Sequence, residues 1–129
     1  MWCFIHNLIK YRLFYYLIKN YGQFIYRNSE TEFSKDIDLK NKKVIIYGFG
    51  PYGEEKLVDL FHSSYIVGIY DQQYKKMSHH VKNPDKIIPN SFDFVVVTVM
   101  NENIRQAVIE FLKNKKVSSE QIIYLKYCL

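Results

Sequence analysis

The chain has 129 residues, 48% of them apolar and 17% aromatic, with 12 tyrosines and 9 phenylalanines. That length holds one domain and little more, and the composition excludes a collagen-like, low-complexity or disordered chain. The net charge of +5 is lopsided: of 18 bases, Lys10, Arg12, Lys19 and Arg27 fall in residues 1–28, which hold no acid, while the other 14 are balanced by 13 acids. A nucleic-acid reader more often carries its basic excess on the folded domain, so that class is set aside.

Residues 1–28 read as a basic, aromatic helix. Between positions 2 and 27 there is no proline and one glycine, and Trp2, Phe4, Leu8, Leu13, Phe14, Leu17 and Ile25 place apolar groups nearly all round it. Such a helix must be covered by its own domain, by a partner chain (a second copy included) or by lipid, with aromatics at headgroup depth and Lys and Arg reaching into water. His6, Asn7, Lys10 and Arg12 interrupt the apolar run, so neither a membrane span nor a secretory signal is expected. Residues 29–42 read as a polar linker of mixed charge. Cys3 and Cys128 have no metal-ligand spacing and read as thiols in a reducing cytosol.

Regular structure is predicted from Lys43 to the end. Val44-Ile45-Ile46 is a continuous apolar run, as in a strand covered on both faces. Gly48-Phe49-Gly50-Pro51-Tyr52-Gly53 follows, and a helix runs from there to His62, with Gly53, Leu57, Leu60 and Phe61 on one face. Pro51 suits the first helical turn. A second strand, Tyr65 to Tyr70, ends on Asp71. Residues 72–91 are polar, are broken by Pro84 and Pro89, and have no room for both a strand and a helix. Phe94 to Val99 reads as a third strand, Ile104, Val108, Phe111 and Leu112 as the buried face of a second helix, and Ile122 to Leu125 as a last short strand. The sum is an α/β domain over 43–129, an open parallel sheet of four to five strands with helices on both faces, preceded by the long N-terminal helix.

Strand, glycine turn, helix and a strand ending on an acid are the layout of a dinucleotide-binding βαβ unit. Gly48 permits the tight turn, Gly50 close approach of a ligand and Gly53 close helix packing, while the amides at the start of the helix, around Pro51 and Tyr52, face an anion. Asp71 would accept hydrogen bonds from a ribose 2′-hydroxyl and disfavour a 2′-phosphate, which points to NAD or a nucleoside ribose. Its other reading is an acid that merely ends a strand. Thr98 and Asn101 follow the third strand and either reach the same crevice or serve as core hydroxyl and helix cap. Glu54 and Glu55 stand close to where a phosphate would sit. His79-His80 reads as a solvated pair, and no catalytic set and no metal site can be assembled from the residue pattern.

Val44 to Gly53, then Ile66-Val67-Gly68-Ile69-Tyr70-Asp71, then Phe94 to Val99 resemble a Rossmann-like module of bacterial surface-polysaccharide enzymes, over roughly residues 42–126. Copies of that module form the N-terminal domain of sugar acyltransferases and precede the catalytic part of membrane-attached nucleotide-sugar dehydratases. The resemblance implies a small Rossmann-like fold, NAD or a nucleotide sugar as ligand, and an accessory role in nucleotide-sugar or surface-glycan metabolism. A glycosyltransferase or other glycan enzyme is the implied partner, and the basic excess of residues 2–27 points by itself to an acidic partner or an anionic membrane surface. The location expected from the thiols is cytoplasmic, and the basic aromatic helix adds a peripheral place on the inner face of the membrane. Two alternatives stay open: a scaffold that docks through its N-terminal helix, and a subunit of an NAD-dependent oxidoreductase or epimerase. Neither the acyltransferase β-helix nor a dehydratase domain is present. Phe49 stands where the module has a small residue, so the direction of its ring decides whether the cradle is open.

Overall fold

The computed structural model describes residues 31–128. The helix expected over residues 1–28, with its dimer, partner and membrane contacts, lies outside the described residues, as does Cys3.

Six strands form one curled sheet in the order β1-β6-β5-β2-β3-β4, with β1 Thr31–Phe33, β2 Lys43–Tyr47, β3 Tyr65–Tyr70, β4 Val81–Lys82, β5 Phe94–Val97 and β6 Ile122–Tyr127. Four of the five pairings are parallel, and β1 runs antiparallel to β6. There are two α-helices among the described residues, α1 Pro51–Leu60 and α2 Glu102–Asn114.

This corrects the expected fold class. The sheet is mixed and not parallel throughout, it has six strands and not four to five, and it bends into a half-barrel that carries only two short helices. The physical reasons lie in two segments. Thr31-Glu32-Phe33, in the stretch read as linker, lies along the free edge of β6 and adds an antiparallel strand there. Between β3 and β5 the chain makes two 3₁₀ turns, Tyr74–Lys76 and Pro84–Lys86, on either side of the two-residue β4, with no α-helix to cover it.

β2 lies in the middle of the sheet, and Val44, Ile45, Ile46 and Tyr47 are all buried, because helices cover both faces. Val44 and Ile46 point with Ile69, Val96 and Ile123 toward Leu57 and Leu60 of α1. Ile45 and Tyr47 point the other way, with Val95, Val97 and Ile122, toward Val108 and Leu112 of α2. This is the period-2 alternation of a strand between two layers. A register shift opposite Val44 and Ile45 leaves Val67 as an extra residue in β3. Leu39 is buried beneath Leu60, with Phe33 and Ile37 against it, and Ser64 Oγ donates to the Leu39 carbonyl at 2.7 Å. The segment before β2 is therefore packed onto the α1 face.

Five strands, β6, β5, β2, β3 and β4, run in one direction, and β1 alone runs against them. The turn from β2 into α1 leaves the sheet at its centre. The chain goes to β3 on one side, while β5 lies on the other, so the order of the strands reverses at the ends of β2 and β5. Among the described residues no helix is long and apolar enough to cross a membrane.

Candidate functional site

The turn at the end of β2 is fixed by contacts that only glycine tolerates at two of its three glycine positions. Gly48 has φ +107, and a Cβ there would stand 2.6 Å from Thr98 Oγ1. Gly53, in the first turn of α1, lies so close to the Gly48 carbonyl that a Cβ would collide with it. Gly50 is different: it is exposed, and a Cβ would meet no atom within 4 Å.

The turn is held from three sides. Gly48 N–H donates to the Tyr70 carbonyl at 2.7 Å, joining it to the end of β3. Thr98 Oγ1, buried at the end of β5, is 2.6 Å from the Gly48 carbonyl and 3.2 Å from that of Tyr47, and it donates to the nearer. Phe49 N–H donates to Asp71 Oδ2 at 2.7 Å, while the other oxygen of Asp71 accepts from Gln73 N–H at 2.7 Å. The Phe49 ring turns into the α1-side core among Ile46, Leu57, Ile69 and Val81, away from the start of the helix.

That start is the open part. Gly50 is the N-cap of α1 and no side chain caps the helix. Pro51 carries no N–H, and Glu54 N–H reaches back to the Gly50 carbonyl at 3.0 Å. Tyr52 and Gly53 therefore supply the two donors of this first turn that have no intrahelical acceptor. Their N–H groups sit at the positive end of the helix dipole, beside the open space at Gly50. Glu54 works against an anion here. Its side chain is half-buried, and desolvation raises its pKa above the ordinary carboxylate value.

Two of the expected ligand residues have internal work. Asn101 Oδ1 accepts from Ile104 N–H at 3.1 Å and caps α2, and Thr98 stitches the turn. Asp71 braces Phe49 and Gln73, with one further lone pair left on each oxygen. The structure thus gathers Gly48, Phe49, Gly50, Pro51, Tyr52, Gly53, Asp71 and Thr98 around one turn and sets Asn101 at the start of the neighbouring helix.

Sequence reasoning missed Tyr127. Its hydroxyl lies 3.1 Å from that of Tyr52, with the rings edge to face at 6.2 Å, and the hydrogen bond raises the Tyr52 pKa. Seventy-five positions separate the two residues, and only the placement of β6 beside β5 brings them together. Arg105, in the first turns of α2, was also missed. Its guanidinium lies 4.4 Å over the Tyr124 ring and donates to the Leu125 carbonyl at 3.2 Å, and no acid among the described residues pairs with it. Surface hollows of about 460 Å³ beside β3 and His79, and of about 510 Å³ at the opposite edge near Asp93, lie away from the turn.

The arrangement offers two N–H donors at the start of α1 and, beside them, the Tyr52–Tyr127 pair. It brings no nucleophile to a base, and no metal-holding group of His, Cys, Asp or Glu occurs among the described residues. No family model, no curated protein and no solved structure matches the chain.

Proposed function

We propose that the Gly48–Gly53 turn binds the diphosphate of a nucleotide ligand, NAD or a nucleotide sugar, and that the protein is an accessory module of nucleotide-sugar or surface-glycan metabolism. One observation carries this reading. The turn is braced on every side except at the uncapped start of α1, where two N–H donors and the open space over Gly50 coincide. Water can satisfy those donors in the free protein, and a phosphate would satisfy both at once. In this reading the remaining lone pairs of Asp71 take the ribose hydroxyls, Thr98 positions the turn, and the protein works in the cytoplasm at the inner face of the membrane. Isothermal titration of the full chain with UDP-glucose and with NAD tests it. Saturable heat with either is expected, and no heat with both at millimolar ligand removes the ligand.

The second reading is a scaffold that docks on a glycan enzyme or a membrane through its basic N-terminal segment. It is favoured by the internal use of Asp71, Thr98 and Asn101, each of which has a sufficient structural role. Co-sedimentation with anionic vesicles separates it from the first. Binding that is abolished by deleting residues 1–30, with no nucleotide heat, is the scaffold's signature.

A further inference from the structure

A ligand seated on the turn has a direction set by the order of the strands. Asp71 follows β3, the turn follows β2, and Tyr127 closes β6, with β5 between β2 and β6. Across the sheet β3 and β6 are three strand spacings apart, roughly 14 Å, and β6 continues three residues past Tyr124, the partner of Val97 at the end of β5. A nucleoside held at Asp71 with its diphosphate on the turn therefore sends whatever is attached to the second phosphate over β5, toward Tyr52 and Tyr127.

Those two side chains meet across the end of β6 and the first turn of α1. Tyr127 is 53% exposed, and a hydrogen bond between two solvent-facing hydroxyls at 3.1 Å gains little over bonds to water. The edge-to-face ring contact holds them at that spacing. Together they present aromatic surface and two phenolic oxygens, with lone pairs and one proton not used by their mutual bond. Tyr52 is the second residue of α1, so the pair stands directly beside the open start of the helix. Aromatic surface next to a hydroxyl pair suits a ring that has C–H faces and equatorial hydroxyls. It carries no formal charge with which to neutralise a charged group.

Resting on the nucleotide reading above, we propose that Tyr52 and Tyr127 form a subsite for the distal sugar ring of that ligand, an uncharged, hydroxyl-bearing ring joined through the second phosphate. A hexose of a nucleotide sugar and the second ribose of a dinucleotide share this chemistry. The protein then distinguishes a diphosphate that carries a second sugar from a bare nucleoside diphosphate.

The test is titration of the full chain and its variants with UDP, UDP-glucose, ADP and NAD. The intact protein is expected to prefer one sugar-bearing ligand over its parent diphosphate by about tenfold or more, and which of the two ratios is large identifies the source. In Tyr127→Ala that ratio falls to near one, and Tyr127→Phe, which keeps the ring, retains part of it. Tyr127 is exposed at a strand end, and an unchanged circular dichroism spectrum establishes that the variants fold. A ratio that Tyr127→Ala leaves unchanged overturns the subsite while the turn continues to bind UDP or ADP. Failure of the intact protein to bind any of the four overturns the nucleotide reading itself, and the subsite with it.

Discussion

The carboxylate of Asp71 accepts the Phe49 N–H at 2.7 Å, joining the residue after β3 to the middle of the turn that follows β2. An acid at this distance from a glycine turn can serve the fold directly, because it holds an amide of the turn itself. The turn is thereby shaped before any ligand arrives, and the Phe49 ring is fixed in the core beneath it.

Asp71→Ala is expected to leave the Phe49 and Gln73 N–H groups without their acceptors. The Phe49 bond is part-buried, so the loss should be about 1–3 kcal/mol of unfolding free energy. Asp71→Asn retains one carbonyl acceptor and should cost less. Urea denaturation of the two variants checks the order. Equal stability of both with the parent would mean that the brace is not formed in solution.

The three glycines should separate cleanly. Gly48→Ala puts a Cβ at φ +107 and against Thr98 Oγ1, costing about 2 kcal/mol or more, and Gly53→Ala drives a methyl into the Gly48 carbonyl and should be worse. Gly50→Ala meets nothing, has an ordinary extended φ of −83, and should change stability by less than about 0.5 kcal/mol. The same methyl stands in the space offered to the phosphate, so nucleotide affinity should fall about tenfold at unchanged thermal midpoint. Unchanged affinity would place the ligand elsewhere.

Legibility in the sequence followed burial. The runs Val44–Ile46 and Val95–Val97 are covered on both faces, so they read as strands without help from context. The helix faces were read in part. Leu57, Leu60, Val108 and Leu112 are buried, but Phe61 at the end of α1 is 39% exposed and Ile104 in the first turn of α2 is 56% exposed, since helix ends overhang the sheet. β1 and β4 were not legible. They are edge strands of three and two residues, too short for alternation to show, and their existence depends on a neighbour's free backbone and not on their own side chains. Leu39 looked like one apolar residue in a polar stretch until Ile37 and Phe33 folded over with it. At the site, glycine spacing marked the turn, but whether Thr98, Asn101 and Asp71 serve a ligand or the fold was a matter of a few ångströms that residue type does not encode.

Thr98 tests the stitching of β5 to the turn. Thr98→Val keeps the shape and removes the buried donor, leaving the Gly48 carbonyl without this partner at a cost of about 1–3 kcal/mol. Thr98→Ser keeps the hydroxyl and loses one methyl, so it should recover most of the difference. Denaturation midpoints in urea give the ranking Thr, Ser, Val. A valine variant as stable as the parent would show that Thr98 was kept for another purpose, and nucleotide titration of that variant would then be the next measurement.

Glu54 gives the pH dependence a sign. Burial raises its carboxyl pKa above the ordinary value of 4.5. A folded-state pKa above the unfolded one means that this group's contribution is fully present below the unfolded pKa and is lost as pH rises through the folded pKa. At neutral pH the ionised side chain is therefore a cost, modest because the group is half-exposed and screened by solvent. Glu54→Gln should raise the thermal midpoint at pH 7 and narrow the stability difference between pH 7 and the acid side of the carboxyl titration. The same change removes a negative charge from the first turn of α1, beside the N–H donors of Tyr52 and Gly53. It forfeits the favourable charge–dipole interaction of about 0.3–1 kcal/mol but leaves the dipole to the ligand, so nucleotide affinity should rise roughly two- to fivefold. Thermal scans across the carboxyl range, paired with titrations at pH 7, separate the two effects. A Gln variant that is more stable yet binds no better would mean that the phosphate does not sit at this helix start.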